Sequence, residues 1–186
     1  MITRISGLLR KDQRGFTLIE ILIVVAIGSA IAVVGSMATR QVMLETVRNN
    51  NHEIAVRQVQ NAGFRITRDT QTAQTVVVEE DADGLPLTLT WQDFEGINEY
   101  QVVYSLEEID GVINLKREHY TNRADNPDPD GTSYVAKYID PDPLKTSCTF
   151  ANPVLTFTVT ATVGGGSMQE QSETRVYQIV RRPDGT

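Results

Sequence analysis

Three hydropathy patterns follow one another along the chain. From Phe16 to Thr39 (FTLIEILIVVAIGSAIAVVGSMAT) the residues are apolar or small, apart from Glu20 and hydroxyl residues near the ends. At about 1.5 Å per residue, a helix over Phe16–Met37 reaches roughly 33 Å, enough to cross a hydrocarbon core of about 30 Å. From Arg40 to Ala73 there is no proline and one glycine, Gly63. Here Val47, Ile54, Ala55, Val59, Ala62, Ile66 and Ala73 recur at steps of mostly three or four, which gives one apolar stripe. The pattern predicts one continuous helix from Phe16 to about Thr72, apolar all round at first and amphipathic afterwards. Such a helix would be roughly 85 Å long.

From Thr75 the period changes to two. Strands are predicted over Thr75–Glu80, Leu87–Trp91, Tyr100–Ser105, Val112–Thr121 and Ser133–Ile139, with Asp110-Gly111 as a turn dipeptide. The clearest alternation is Leu155–Val163, where threonines separate Leu155, Phe157, Val159, Ala161 and Val163. Gly164–Ser167 then turns the chain into Glu173–Arg181 as a hairpin partner. Strands with short turns and no intervening helices predict an antiparallel sheet whose dry face is closed by the second half of the long helix. The fold class is therefore α+β. Its expected regions are a leader over 1–15, a transmembrane helix over 16–38, an amphipathic stalk over 39–73 and a β head over 74–186.

Composition narrows the chemistry. The 186 residues hold 17 Lys/Arg against 24 Asp/Glu, a net charge of −7, which argues against direct nucleic-acid binding. Cys148 is the only cysteine, so no intrachain disulfide can form, and with only His52 and His119 it cannot build a structural zinc site. No G-x-S-x-G, G-x-x-x-x-G-K or H-E-x-x-H motif occurs, and the chain is not expected to be an enzyme. Arg4, Arg10, Lys11 and Arg14 precede the apolar span with Asp12 as the one acid, which should hold that end in the cytoplasm and place the head outside.

Glu20 is the anomaly. A carboxylate within an apolar span costs a few kcal/mol or more and calls for a partner. Cleavage between Gly15 and Phe16 would create an α-amine one helical turn from Glu20 on the same face, where the helix dipole also favours an acid. The string Arg14-Gly15-Phe16-Thr17-Leu18-Ile19-Glu20, followed by the apolar helix, resembles the class III signal of type IV pilins and type II secretion pseudopilins. The resemblance implies cleavage after Gly15 by prepilin peptidase and N-methylation of Phe16. It also implies that Glu20 aligns incoming subunits, with other pilins or pseudopilins and an inner-membrane assembly platform as partners. Met37 stands where many principal pilins have a proline, and the first proline is Pro86, which leans toward a minor subunit. The order of short strands in the head, with Trp91, Tyr100–Tyr104 and a late Thr-rich strand, is similar to J-type minor pseudopilins. Two other readings of the same span are a signal peptide cut at Ser36-Met37-Ala38 and an uncleaved anchor for an unrelated extracytoplasmic binding module.

Four further features carry expectations. Gly28, Ala32 and Gly35/Ser36 share a helix face and would allow close helix approach. Asn126-Pro127-Asp128-Pro129-Asp130-Gly131 resembles the first half of a calcium loop, with Asp125, Asp128 and Asp130 as candidate ligands. Lys137 stands where the bidentate acid should be, which favours a rigid surface turn, and no cofactor is otherwise expected. Charge is segregated: ten acids lie between Glu79 and Asp110 without a Lys or Arg, whereas the stalk carries Arg40, Arg48, Arg57, Arg65 and Arg68. Acidic head and basic stalk could dock between subunits, with Arg57 and Arg65 as the residues to reverse. His52 and His119 are expected at the surface, and Cys148 either half-buried or available to another subunit.

Overall fold

A computed structural model describes residues 16–80, 83–165 and 169–182. Helix α1 spans Leu18–Thr72. Thr17 caps its start: the carbonyl accepts the N–H of Glu20 at 3.0 Å and that of Ile21 at 3.2 Å, while Oγ1 takes Glu20 N–H at 3.3 Å. The helix ends as the β-branched run Thr75–Val78 begins, with the Ala73 N–H still bonded to the Asp69 carbonyl at 3.0 Å. The chain divides into two units, one ending at Leu44 and one from Glu45 onward.

In the second unit, eight strands follow the helix. They are β1 (Thr75–Val78), β2 (Leu87–Gln92), β3 (Glu99–Ile109), β4 (Val112–Thr121), β5 (Gly131–Lys137), β6 (Ser147–Ala151), β7 (Val154–Val163) and β8 (Gln171–Val180). Every neighbouring pair is antiparallel. Strand β6 had no counterpart in the hydropathy pattern, since five residues with one buried side chain leave too little alternation to see.

The strands make two sheets, not the one sheet expected: β1-β2-β3-β4-β5 and β6-β7-β8. Residues Tyr138–Asp140 run between them, with Asp140 N–H on the Thr160 carbonyl at 2.9 Å and Thr162 N–H on the Tyr138 carbonyl at 2.8 Å. The run cannot grow into a ladder. Tyr138 sits at φ +61°, and Pro141 and Pro143 lack the N–H that a ladder needs. A single bridge, Ile139 to Ala161, is what remains.

The helix residues Ala55, Val59, Ala62 and Ile66 are fully buried, which is the predicted stripe. They pack in one core with Leu87, Leu89, Val102 and Leu115 of the first sheet and Leu155, Phe157 and Val159 of the second. Full burial of each Val, Leu, Ile or Phe side chain among these contributes about 1.5–3 kcal/mol.

Candidate functional site

The first unit presents an apolar helix surface that is exposed along all its described residues. Phe16 is 78% exposed and Leu18 82%, and every described residue to Leu44 is exposed. Among the described residues this is the one helix long and apolar enough to cross a membrane. Its hydroxyls are satisfied internally: Ser29, Ser36 and Thr39 donate to the carbonyls of Ala26, Val33 and Gly35 at 2.8–2.9 Å. Glu20 is different. Its carboxylate has neither a hydrogen bond nor an ion pair among the described residues, and it is the one ionisable side chain between Phe16 and Thr39. A β-carbon added at Gly28 or Gly35 would meet nothing within 4 Å.

The helix begins two residues later than expected. Phe16 precedes it and Thr17 is its cap, so Phe16 lies just outside the first turn and Glu20 within it. Gly15, the expected cleavage position, lies outside the described residues.

In the head, the candidate calcium residues lie on the loop between β4 and β5. Asp125 N–H bonds the Asn122 carbonyl at 2.8 Å and Asp130 N–H the His119 carbonyl at 2.8 Å. The Asp130 carboxylate lies 3.7 Å from His119 Nδ1. Among the described residues no group of three or more His, Cys, Asp or Glu side chains is placed to hold a metal ion. His119 is more enclosed than expected: its ring is 6.1 Å from Tyr100 and 6.5 Å from Trp91, which are 6.0 Å apart. Adjacent strands bring the three rings together, because Trp91 pairs with Tyr100 and His119 with Val102 on the helix-facing side of the sheet.

One polar cluster was not foreseen. Asp69 Oδ2 accepts the hydroxyl of fully buried Tyr104 at 2.6 Å and the Nε–H of Arg117 at 2.7 Å. Burial raises the Tyr104 hydroxyl above its ordinary range, and the Asp69 charge adds to this. Burial would lower the Arg117 guanidinium, but the Asp69 hydrogen bond and charge outweigh it and raise it. The visible signal was an acid three residues after Ile66 on the buried stripe. The strand register that supplies Tyr104 opposite Arg117 carried no local mark.

A groove of about 660 Å³ opens between α1, the β3–β4 turn and β7, lined among others by Asn51, Ile54, Tyr138 and Asp140. Lys145 holds its one carboxylate, Asp140, at 2.7 Å. Cys148 is 2% exposed, and burial pushes its thiol up to about 12. The expectation of a half-buried thiol, or one available to another subunit, is thereby corrected: β6 turns the side chain into the core between the sheets.

A long N-terminal helix packed through its second half on antiparallel sheets defines an α+β, pilin-like arrangement. Against that fold, the family model described as the prokaryotic N-terminal methylation motif matches residues 10–36. The chain thus carries the pilin-type processing signal on the apolar, Glu20-bearing start of α1. No curated protein and no solved structure gives a significant match.

Proposed function

We propose that the chain is a minor pilin or J-type minor pseudopilin, a structural subunit of a type IV pilus or type II secretion pseudopilus. Prepilin peptidase cleaves after Gly15 at the cytoplasmic face, which removes the leader 1–15, and the new amine of Phe16 is methylated. Residues 16–38 hold the subunit in the membrane with its head outside, and 39–73 form the stalk of the head 74–186. During assembly, Glu20 pairs with a Phe16 amine of its own or a neighbouring chain. The pair neutralises two charges in an apolar setting and sets register more than it adds stability.

The observation that carries this reading is the coincidence of the methylation motif with an apolar helix start, Phe16–Thr39, whose one ionisable side chain, Glu20, is unpartnered among the described residues. The absence of proline before Pro86 and the order of short strands, with Trp91, Tyr100–Tyr104 and the late Thr-rich strand, support the minor-subunit assignment.

Mass spectrometry of the mature protein tests it. A methylated N-terminus at Phe16 is expected, whereas an intact Met1 or a start at Thr39 points to a membrane-anchored binding module or a signal peptide. Glu20→Gln should lower incorporation into filaments about tenfold or more, because an amine left unpaired in apolar surroundings costs several kcal/mol.

A further inference from the structure

A strand at the end of a sheet has one unpaired backbone edge, and proteins keep such edges short, covered or interrupted. Among the described residues, three of the four sheet edges are so treated. β1 has four residues and β6 five, and on the far side of β6 the Cys148 N–H donates to the Asp83 carbonyl at 2.7 Å. On β5 the Lys137 N–H donates to Gln58 Oε1 of α1 at 2.8 Å, and the register shifts between Leu115 and Lys116 opposite. Strand β8 is different. Its ten residues contain no proline, glycine or lysine, and they follow β7 from end to end without a register shift.

The hydrogen bonds of β7 show which groups of β8 face outward. The Thr160 carbonyl and the Thr162 N–H bond Asp140 and Tyr138, on the side away from β8. In an antiparallel ladder both backbone groups of a residue point one way, and the direction alternates along the strand. Val159 and Ala161 therefore bond their β8 partners Arg175 and Glu173, while Ser172, Thr174, Val176, Gln178 and Val180 turn N–H and C=O to the open edge. Among the described residues nothing bonds these outward groups. The burial agrees: Phe157, Val159 and Ala161 are buried, but Tyr177, Arg175 and Glu173 opposite them only half-buried. The outward row carries no charge, and Val176 and Val180 on it are 59% and 58% exposed. Glu173 and Arg175, on the inner row, neutralise each other at 3.3 Å.

Backbone groups that recur every second residue, about 6.8 Å apart, are matched by an extended strand and not by a helix. We infer that β8 accepts an extended strand from a different pilin-type subunit, which continues the sheet β6-β7-β8. Its main chain meets the five outward residues, and its β-branched side chains lie beside Val176 and Val180. Strand direction argues against a second copy. Asn51 donates to the Gln169 carbonyl at 2.8 Å just before β8, Gly63 meets Tyr177 within it, and Arg181 donates to the Gln74 carbonyl just past it. β8 thus runs the way the stalk helix runs. Antiparallel pairing of β8 with β8 would point two stalks in opposite directions, which two chains inserted in one membrane orientation cannot adopt. One edge takes one strand, so the contact ends with its partner, in keeping with a minor subunit whose neighbours are other subunits. The inference rests on that reading and names the surface through which one such neighbour is held.

Gln178→Cys tests it in the full-length chain, expressed with the other subunits of its assembly that carry the methylation motif and solubilised in detergent. Cys148 is buried, so a photoreactive thiol label is confined to position 178. The label should join the chain to one of those subunits. Val176→Pro removes an outward N–H without taking a bond from the β7 ladder, and should lower the recovered complex about tenfold or more. Val176→Thr keeps both the N–H and the β-branched shape and should keep the complex. A label that joins only copies of this chain, or nothing, overturns the inference, as does a Val176→Pro variant that binds like the parent. Where Val176→Pro unfolds in urea earlier than the parent, the label alone decides. In each overturning case a methylated Phe16 and incorporation into filaments would leave the proposed function standing.

Discussion

The ring of Tyr177 occupies the space in which Gly63 would carry a β-carbon. A β-carbon there would lie 2.0 Å from Tyr177 Cζ, and the Tyr177 hydroxyl donates to the Val59 carbonyl at 3.0 Å. The three-stranded sheet is seated on α1 at this point, through the one glycine of the stalk. Gly63→Ala gains up to about 1 kcal/mol of helix propensity and loses roughly 1–3 kcal/mol to overlap. A net loss of about 1–2 kcal/mol is expected, read as a lower unfolding midpoint in urea. In a Tyr177→Ala background the same substitution should be neutral or stabilising, and the double-mutant cycle isolates the contact.

Asp69 serves two donors at once, the Tyr104 hydroxyl and Arg117. Asp69→Ala strands both in the core and should cost about 3 kcal/mol, with Arg117 left as a partly buried charge without its acceptor. Tyr104→Phe removes one neutral donor and should cost about 1 kcal/mol. Chemical denaturation of the three chains gives the comparison, and equal losses would refute the shared-acceptor account.

Stability should fall in alkali through Tyr104. Its folded-state pKa is raised above the ordinary value near 10, so the folded chain keeps a proton that the unfolded chain releases. The contribution is fully present below pH 10 and declines above it, by up to about 1.4 kcal/mol per pH unit for this one group. Burial also raises Tyr177 and Cys148, so the test is a difference. Stability measured between pH 9 and 11 should decline less steeply for Tyr104→Phe than for the parent.

Cys148 should be silent in the folded protein. Its thiol is buried and its ionisation pushed up to about 12, so thiolate is scarce at neutral pH. Thiol reagents at pH 8 should label it at no more than about one hundredth of the rate found in denaturant. Fast labelling of the native chain, or a disulfide to another subunit, would contradict the packing described.

Local periodicity made much of this protein legible. The helix from Leu18 to Thr72, its change from apolar to amphipathic, the alternation of Leu155–Val163 and the Asp110-Gly111 turn are set by spacing along the chain. Glu20 announced itself through its surroundings, because an acid in a run of aliphatic residues is conspicuous before any partner is known. Other features depend on residues far apart in sequence. Whether the strands form one sheet or two turned on the backbone of Tyr138 and the prolines after it. Asp69 became an acceptor because β3 and β4 brought Tyr104 and Arg117 to it, and Gly63 was required because β8 laid Tyr177 across it. Hydropathy reads which side of an element is buried; it does not carry what lies opposite, since strand register and sheet packing are settled by contacts that form only when the chain closes on itself.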